Sequence, residues 1–152
     1  MDRRRGTILF VEDDPNDVAL TQRAFEQAGF VNPLHVVADG EQAIGYLAGE
    51  GRYADRARYP LPILILLDLK LPRVSGFEVL TWLREAPGVR RLPVVALTSS
   101  GQSPDISRAY DVGANSYLVK PVGFERLQEL VRTLGLYWIM TNHGPASVEM
   151  GG

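Results

Sequence analysis

Ile63-Leu64-Ile65-Leu66-Leu67-Asp68 is the most apolar run in the chain, and it stops on an acid. A short, continuous apolar run after a proline (Pro62) reads as a strand covered on both faces, because a half-solvated strand would alternate. Four more β-type runs share this character and alternate with helical patterns. They are Thr7–Val11, Leu34–Ala38, Pro93–Leu97 and Ser116–Val119. The first helix is expected from Pro15 to Ala28, with Asp14 at its N-cap, Pro15 at its first position and Gly29 as its stop. A second is expected from Gly40 to Leu47, ending at Gly49. Ser75 and Glu78 read as a capping box opening a third, which ends near Ala86-Pro87-Gly88. A weaker fourth spans Pro104–Val112, and a fifth starts after Pro121 and reaches at least Leu134.

Five strand–helix units in series predict an α/β fold, a parallel sheet with helices on both faces. Right-handed crossovers leave few topologies, and the flavodoxin-like, doubly wound order 2-1-3-4-5 is one of them. The 152 residues fit one domain, and a chain 45% hydrophobic and 22% charged can bury a real core. That domain is expected over residues 7–141, with residues 1–6 and 142–152 disordered. About thirty residues follow Lys120, too few for an appended DNA-binding domain. A net charge of −2 gives no broad pull toward nucleic acid or an anionic membrane. No apolar run approaches the ~18–20 residues needed to span a bilayer. With no cysteine there are no disulfides, zinc-thiolate sites or thiol chemistry, and His35 and His143 have no metal-ligand spacing. The basic start Met1-Asp2-Arg3-Arg4-Arg5 leads into a short β-type run, not a signal peptide, so a cytoplasmic protein is expected.

In a doubly wound sheet, ligands sit beyond the carboxyl ends of the strands. Here those ends carry Glu12-Asp13-Asp14, Asp68, Thr98-Ser99-Ser100 and Lys120-Pro121. If the first and third strands are neighbours, Glu12, Asp13 and Asp68 converge, and mutual repulsion calls for a proton or a cation. Oxygen-only donors favour a hard cation, and Mg²⁺ fits best. A carboxylate beside Mg²⁺, with a lysine and a hydroxyl nearby, is equipped to accept a phosphoryl group. Asp14 is read as a helix cap. The others also have plainer readings: Glu12 and Asp13 as caps, Asp68 as a turn residue, Thr98 and Ser99 as caps of the fourth helix, Lys120 as a loop residue. Their joint placement at four strand ends is what argues against those.

The residues Ile8-Leu9-Phe10-Val11-Glu12-Asp13-Asp14-Pro15, Leu66-Leu67-Asp68-Leu69-Lys70-Leu71-Pro72, Ser75-Gly76, Leu97-Thr98-Ser99, Gly113-Ala114 and Tyr117-Leu118-Val119-Lys120-Pro121 together resemble the receiver domain of two-component response regulators. The resemblance covers nearly all of residues 7–134. It implies the order 2-1-3-4-5, with Asp68 as phosphoacceptor, fed by a sensor kinase's phosphohistidine. It also implies Mg²⁺ on Asp13, Asp68 and the backbone carbonyl of Lys70, with Glu12 acting through a water. Lys120 would pair with the phosphoryl group across a cis bond to Pro121. Thr98 and Ser99 would contact that group by hydroxyl and backbone N–H, and Tyr117 would be the switch aromatic. Such a protein catalyses only its own phosphotransfer and autodephosphorylation. Ser75 departs from the family's frequent Asp, which touches capping more than chemistry.

The long Gly49–Pro62 connection, Asp39-Gly40 and the extension Tyr137-Trp138 are similar to single-domain regulators associated with phytochrome-type histidine kinases. The connection carries Arg52, Arg56, Arg58, Tyr53 and Tyr59, and reads as a solvated loop with its tyrosines packed at the base, or as a contact surface. Leu127, Leu130, Val131 and Leu134 should be the core face of the last helix. Leu136–Met140 fold back or form a seam, and the preferred partner is a second copy through the fourth helix, fifth strand and fifth helix. The rival readings are a phosphorelay intermediate or phosphate sink, a degenerate docking module, and a small-substrate aspartyl-phosphate phosphatase. The intact acid set argues against the docking module. Lys70, standing where such a phosphatase has its second acid, argues against the phosphatase.

Overall fold

A computed structural model describes residues 6–98, 103–121 and 123–135. Ser99 and the proposed seam at 136–140 lie outside the described residues, as do residues 1–5 and the tail 142–152. The strands are β1 (Ile8–Val11), β2 (Leu34–Val37), β3 (Leu64–Leu67), β4 (Val94–Thr98) and β5 (Ser116–Val119). They form one sheet in the order β2-β1-β3-β4-β5, and every pairing is parallel. The helices are α1 (Pro15–Gln27), α2 (Gly40–Ala48), α3 (Gly76–Glu85), α4 (Ser103–Asp111) and α5 (Phe124–Leu134). All ten elements stand within one or two residues of the sequence expectation.

Alternate strand residues feed two separate cores, as the two-residue period of a strand requires. Leu9, Val11, Ile65, Leu67, Val94 and Ala96 face α2, α3 and α4. Ile8, Phe10, Leu64, Leu66, Val95 and Leu97 face α1 and α5, where Val131 and Leu134 are buried and Leu127 and Leu130 pack beside them. Asp14 and Ser75 cap as read from the sequence, and Asp39 is a third cap. Asp14 accepts from the backbone N–H of Asn16, Asp39 from that of Gln42, and Ser75 from that of Glu78.

The Gly49–Pro62 connection is largely solvent-facing with its tyrosines packed at the base, as the sequence reading has it. It contains a 3₁₀ turn, Gly51–Ala54, and buries Tyr53 against Tyr46 and Tyr59 with ring centroids 5.1–6.0 Å apart. Arg56 donates to the carbonyls of Tyr46 and Leu47 at 2.7 and 2.9 Å, satisfying the open end of α2. Burial pushes the Tyr46 hydroxyl up to about 12. The Lys120–Pro121 bond is trans, correcting the cis expectation. Trans is the ordinary preference of an X–Pro bond, and Lys120 reaches the carboxylates from it.

Arg84 joins α3 to the starts of β4 and β5. Its guanidinium donates to Gly113 O at 2.6 and 2.9 Å, Leu92 O at 2.7 Å, Arg90 O at 2.9 Å and Asn115 Oδ1 at 2.8 Å. Asn115 Oδ1 also accepts from the N–H of Val94. Arg84→Ala therefore strands several partly buried acceptors and should lower unfolding stability by about 2–4 kcal/mol. Arg84→Lys should recover only part, because an ammonium lacks the planar fork. Chemical denaturation of the three proteins checks this, and a change under about 0.5 kcal/mol for alanine would show that the clamp is idle.

Candidate functional site

β1 and β3 are neighbours in register, Val11 opposite Leu67, so the residues that follow them emerge side by side. The N–H of Asp68 donates to Val11 O and that of Glu12 to Val37 O, which holds both acids at the rim of the sheet. One carboxylate oxygen from each of Glu12, Asp13 and Asp68 lies within 4.8 Å of the others. Glu12 and Asp68 are 2% and 6% exposed, whereas Asp13 faces solvent. Asp68 Oδ1 accepts from the backbone N–H of Lys70 at 2.9 Å, and the Lys70 side chain points into solvent.

Lys120 follows β5, and its ammonium crosses the end of β4 to reach the cluster. Nζ donates to Asp68 Oδ2 at 3.2 Å, to Glu12 Oε1 in a short contact, and to Asp17 Oδ2 at 3.0 Å. The bond to Asp17 was missed in the sequence. Asp17 sits in the first turn of α1, where an acid ordinarily just complements the helix dipole.

Burial pushes the Glu12 carboxyl up to about 7, with the charge of Asp68 adding to it and the bond from Lys120 opposing it. Burial also works to lower the Lys120 ammonium. The bonds to Glu12 and Asp17 and the charge of Asp68 outweigh that, and hold it well above the usual lysine range. The lysine is therefore a fixed positive charge, while the acids remain in excess. The carboxylates outnumber the one ammonium they share, an excess that favours a cation, and all-oxygen donors suit a hard one.

Thr98 closes β4 opposite Val119, which puts its backbone at the same rim. Tyr117 lies in β5, packs partly buried against the α2–α4 core, and its N–H donates to the Tyr110 hydroxyl at 3.2 Å. Gly76 opens α3 directly over the Asp68–Leu69 backbone. A Cβ there would lie 2.4 Å from Asp68 O and 2.6 Å from Leu69 Cα, so only glycine lets the helix approach this closely.

A doubly wound sheet with an acid cluster and a lysine at its carboxyl rim defines a phosphoryl-handling signalling domain. The chain belongs to the response regulator receiver domain family, which it matches over residues 8–132. It is a receiver of two-component signalling, and no helix among the described residues is long and apolar enough to cross a membrane. FilR2 of Methanothrix harundinacea, a probable methanogenesis regulatory protein, is 41% identical over 91% of this chain and 86% of its own. Response regulator Rcp1 of Synechocystis is 35% identical over 92% of this chain and 93% of its own. Its Mn²⁺-bound crystal structure aligns over 92% of this chain and 99% of that one, with 34% identity and a TM-score of 0.82. The phosphorylated cyanobacterial phytochrome response regulator RcpA aligns with 35% identity and a TM-score of 0.86, covering 93% of this chain and 99% of that one.

The raised Glu12 carboxyl has a consequence for metal-free protein. Between about 4.5 and about 7 the folded state binds more protons at Glu12 than the unfolded chain does, so the residue's contribution to stability falls as pH rises through that window. The stability of wild type minus that of Glu12→Gln, measured in chelator, should drop by up to about 1.4 kcal/mol per pH unit there and flatten above it. A difference independent of pH would mean that folding leaves the Glu12 carboxyl at its ordinary value.

Proposed function

We propose that Asp68 accepts a phosphoryl group from the phosphohistidine of a sensor kinase, and that the resulting change at the rim is the protein's output. The observation that carries this is the placement of Asp68. It is a buried carboxylate at the end of a central strand, with one oxygen held by the Lys70 N–H and the other by Lys120. That arrangement fixes the carboxylate for in-line attack and sets a positive charge where the transferred group's oxygens would gather.

Asp13, Asp68 and the Lys70 carbonyl would hold Mg²⁺, with Glu12 acting through a water. The supporting observations are the oxygen cluster and the Mn²⁺ found in Rcp1. When bound, the cation supplies neutralisation of the phosphoryl oxygens. Thr98 and Ser99 would add a hydroxyl and a backbone N–H to the same oxygens, and Tyr117 would report the change on the α4 side. The protein turns over only its own phosphoryl group, by transfer and autodephosphorylation. A phytochrome-type kinase as donor is supported by the likeness to RcpA and by the structured Tyr53–Tyr59 connection. A second copy docking through α4, β5 and α5 is supported by Tyr110 and Val119, which lie 49% and 48% exposed on that face.

Incubation with radiolabelled acetyl phosphate and Mg²⁺ should label the wild type. Asp68→Asn should take up no label above background, and chelation of the metal should abolish labelling of the wild type. The variant should melt no lower than wild type in chelator, since it removes one charge from a repelling cluster. Label retained in folded Asp68→Asn would overturn the acceptor assignment.

A further inference from the structure

Among the described residues, Asp17 is the one ligand of Lys120 that the acceptor chemistry does not use. Its position, the third residue of α1 after the cap Asp14, is where an acid commonly reaches back to the cap's own N–H. That duty is already taken, because the N–H of Asp14 donates to Glu12 Oε2 at 3.2 Å. Asp17 turns instead to the lysine, 3.0 Å away, and its side chain is 37% exposed where those of Glu12 and Asp68 are 1% and 8%. An ammonium has three hydrogens, and Glu12, Asp17 and Asp68 occupy all three. Any group built on Asp68 can gain a bond from Lys120 only if one of these is given up or shared. Asp17 is the ligand most easily released. It stands on a helix rather than on a central strand, water can replace the lysine around it, and it lies outside the metal-holding cluster.

We propose that Asp17 is a positioning residue that holds Lys120 toward α1 and competes for it with the phosphoryl group on Asp68, thereby setting how firmly that group is gripped. The inference rests on Asp68 being the acceptor. Removing the competing carboxylate should strengthen the grip, and restoring it should reverse the effect. An acid serving only the helix dipole would act on stability and leave the lysine unmoved.

The test uses beryllofluoride with Mg²⁺ as the phosphoryl mimic, titrated calorimetrically. Asp17→Asn should bind it about fivefold more tightly than wild type, the scale of one exposed charge pair, and Asp17→Glu should bind it as wild type does. In a Lys120→Gln background, adding Asp17→Asn should leave binding unchanged, because the effect passes through the lysine. In metal-free protein, nitrogen-detected NMR should show the Lys120 ammonium hydrogens exchanging slowly in wild type and Asp17→Glu, and faster in Asp17→Asn. Unchanged or weaker binding by Asp17→Asn, a change that persists without Lys120, or ammonium exchange indifferent to Asp17 would each overturn the proposal. Failure of wild type to bind the mimic would instead sink the acceptor reading, and the NMR arm would still decide whether Asp17 tethers the lysine.

Discussion

The ammonium of Lys120 is the charge around which the rim of this sheet is organised. It meets Glu12 after β1, Asp68 after β3 and Asp17 in α1, partners up to 108 residues away in the chain. Two of those carboxylates are almost fully buried, and buried charge left uncompensated is costly by several kcal/mol per ion. The acids would force one another apart without the lysine. The lysine, lacking the acids, would have no reason to lie across the end of β4. One positive charge against this many acids compensates only in part, which leaves the rim drawn toward a cation and toward chemistry that redistributes negative charge.

The sheet makes that concentration of charge possible by excluding it everywhere else. Strand residues from Ile8 to Val11 and from Leu64 to Leu67 are at most 1% exposed, and they alternate between two dry cores. In β1 and β3, polar groups can appear only where the strands run out. The parallel register then places all those ends on one side, because each crossover helix returns the chain to the opposite side. Opposite the rim, Arg84 ties α3 to the carbonyl of Gly113 and to Asn115 Oδ1, which also accepts from the N–H of Val94, so the starts of β4 and β5 are anchored there.

Most of this could be read from the sequence, for physical reasons that differ by residue. The strands announced themselves because burial on both faces leaves no room for polar residues, and the caps Asp14 and Ser75 because their side chains do one local job. Glu12, Asp13, Asp68 and Lys120 were readable once the strand ends were known. Asp17 was not, because its spacing from the strand looks like ordinary first-turn acidity and only the fold brings Lys120 to it. Arg56 and Arg84 were missed for a related reason. Each satisfies backbone carbonyls, and a carbonyl leaves no mark in the sequence. The trans bond at Lys120–Pro121 differs from the family pattern, and no residue pattern around it distinguishes the two isomers.

The site's position between the two cores bears on how one acid can carry a signal. Asp68 is joined through Lys120 to Asp17 on the α1–α5 side, while the rim strands β4 and β5 carry Thr98 and Tyr117, whose ring packs toward the α4 side. If Asp68 is the acceptor, as proposed, a change of charge on that carboxylate alters what Lys120 is bonded to, and what stands opposite it across the rim. On the proposed reading, the two helical layers are therefore coupled by competition for a single ammonium, with no need for the sheet itself to deform. A close-packed sheet with central strands this thoroughly buried resists bending. The soft degrees of freedom are the exposed first turn of α1 and the α4 side, where the half-exposed Tyr110 accepts a hydrogen bond from the Tyr117 backbone.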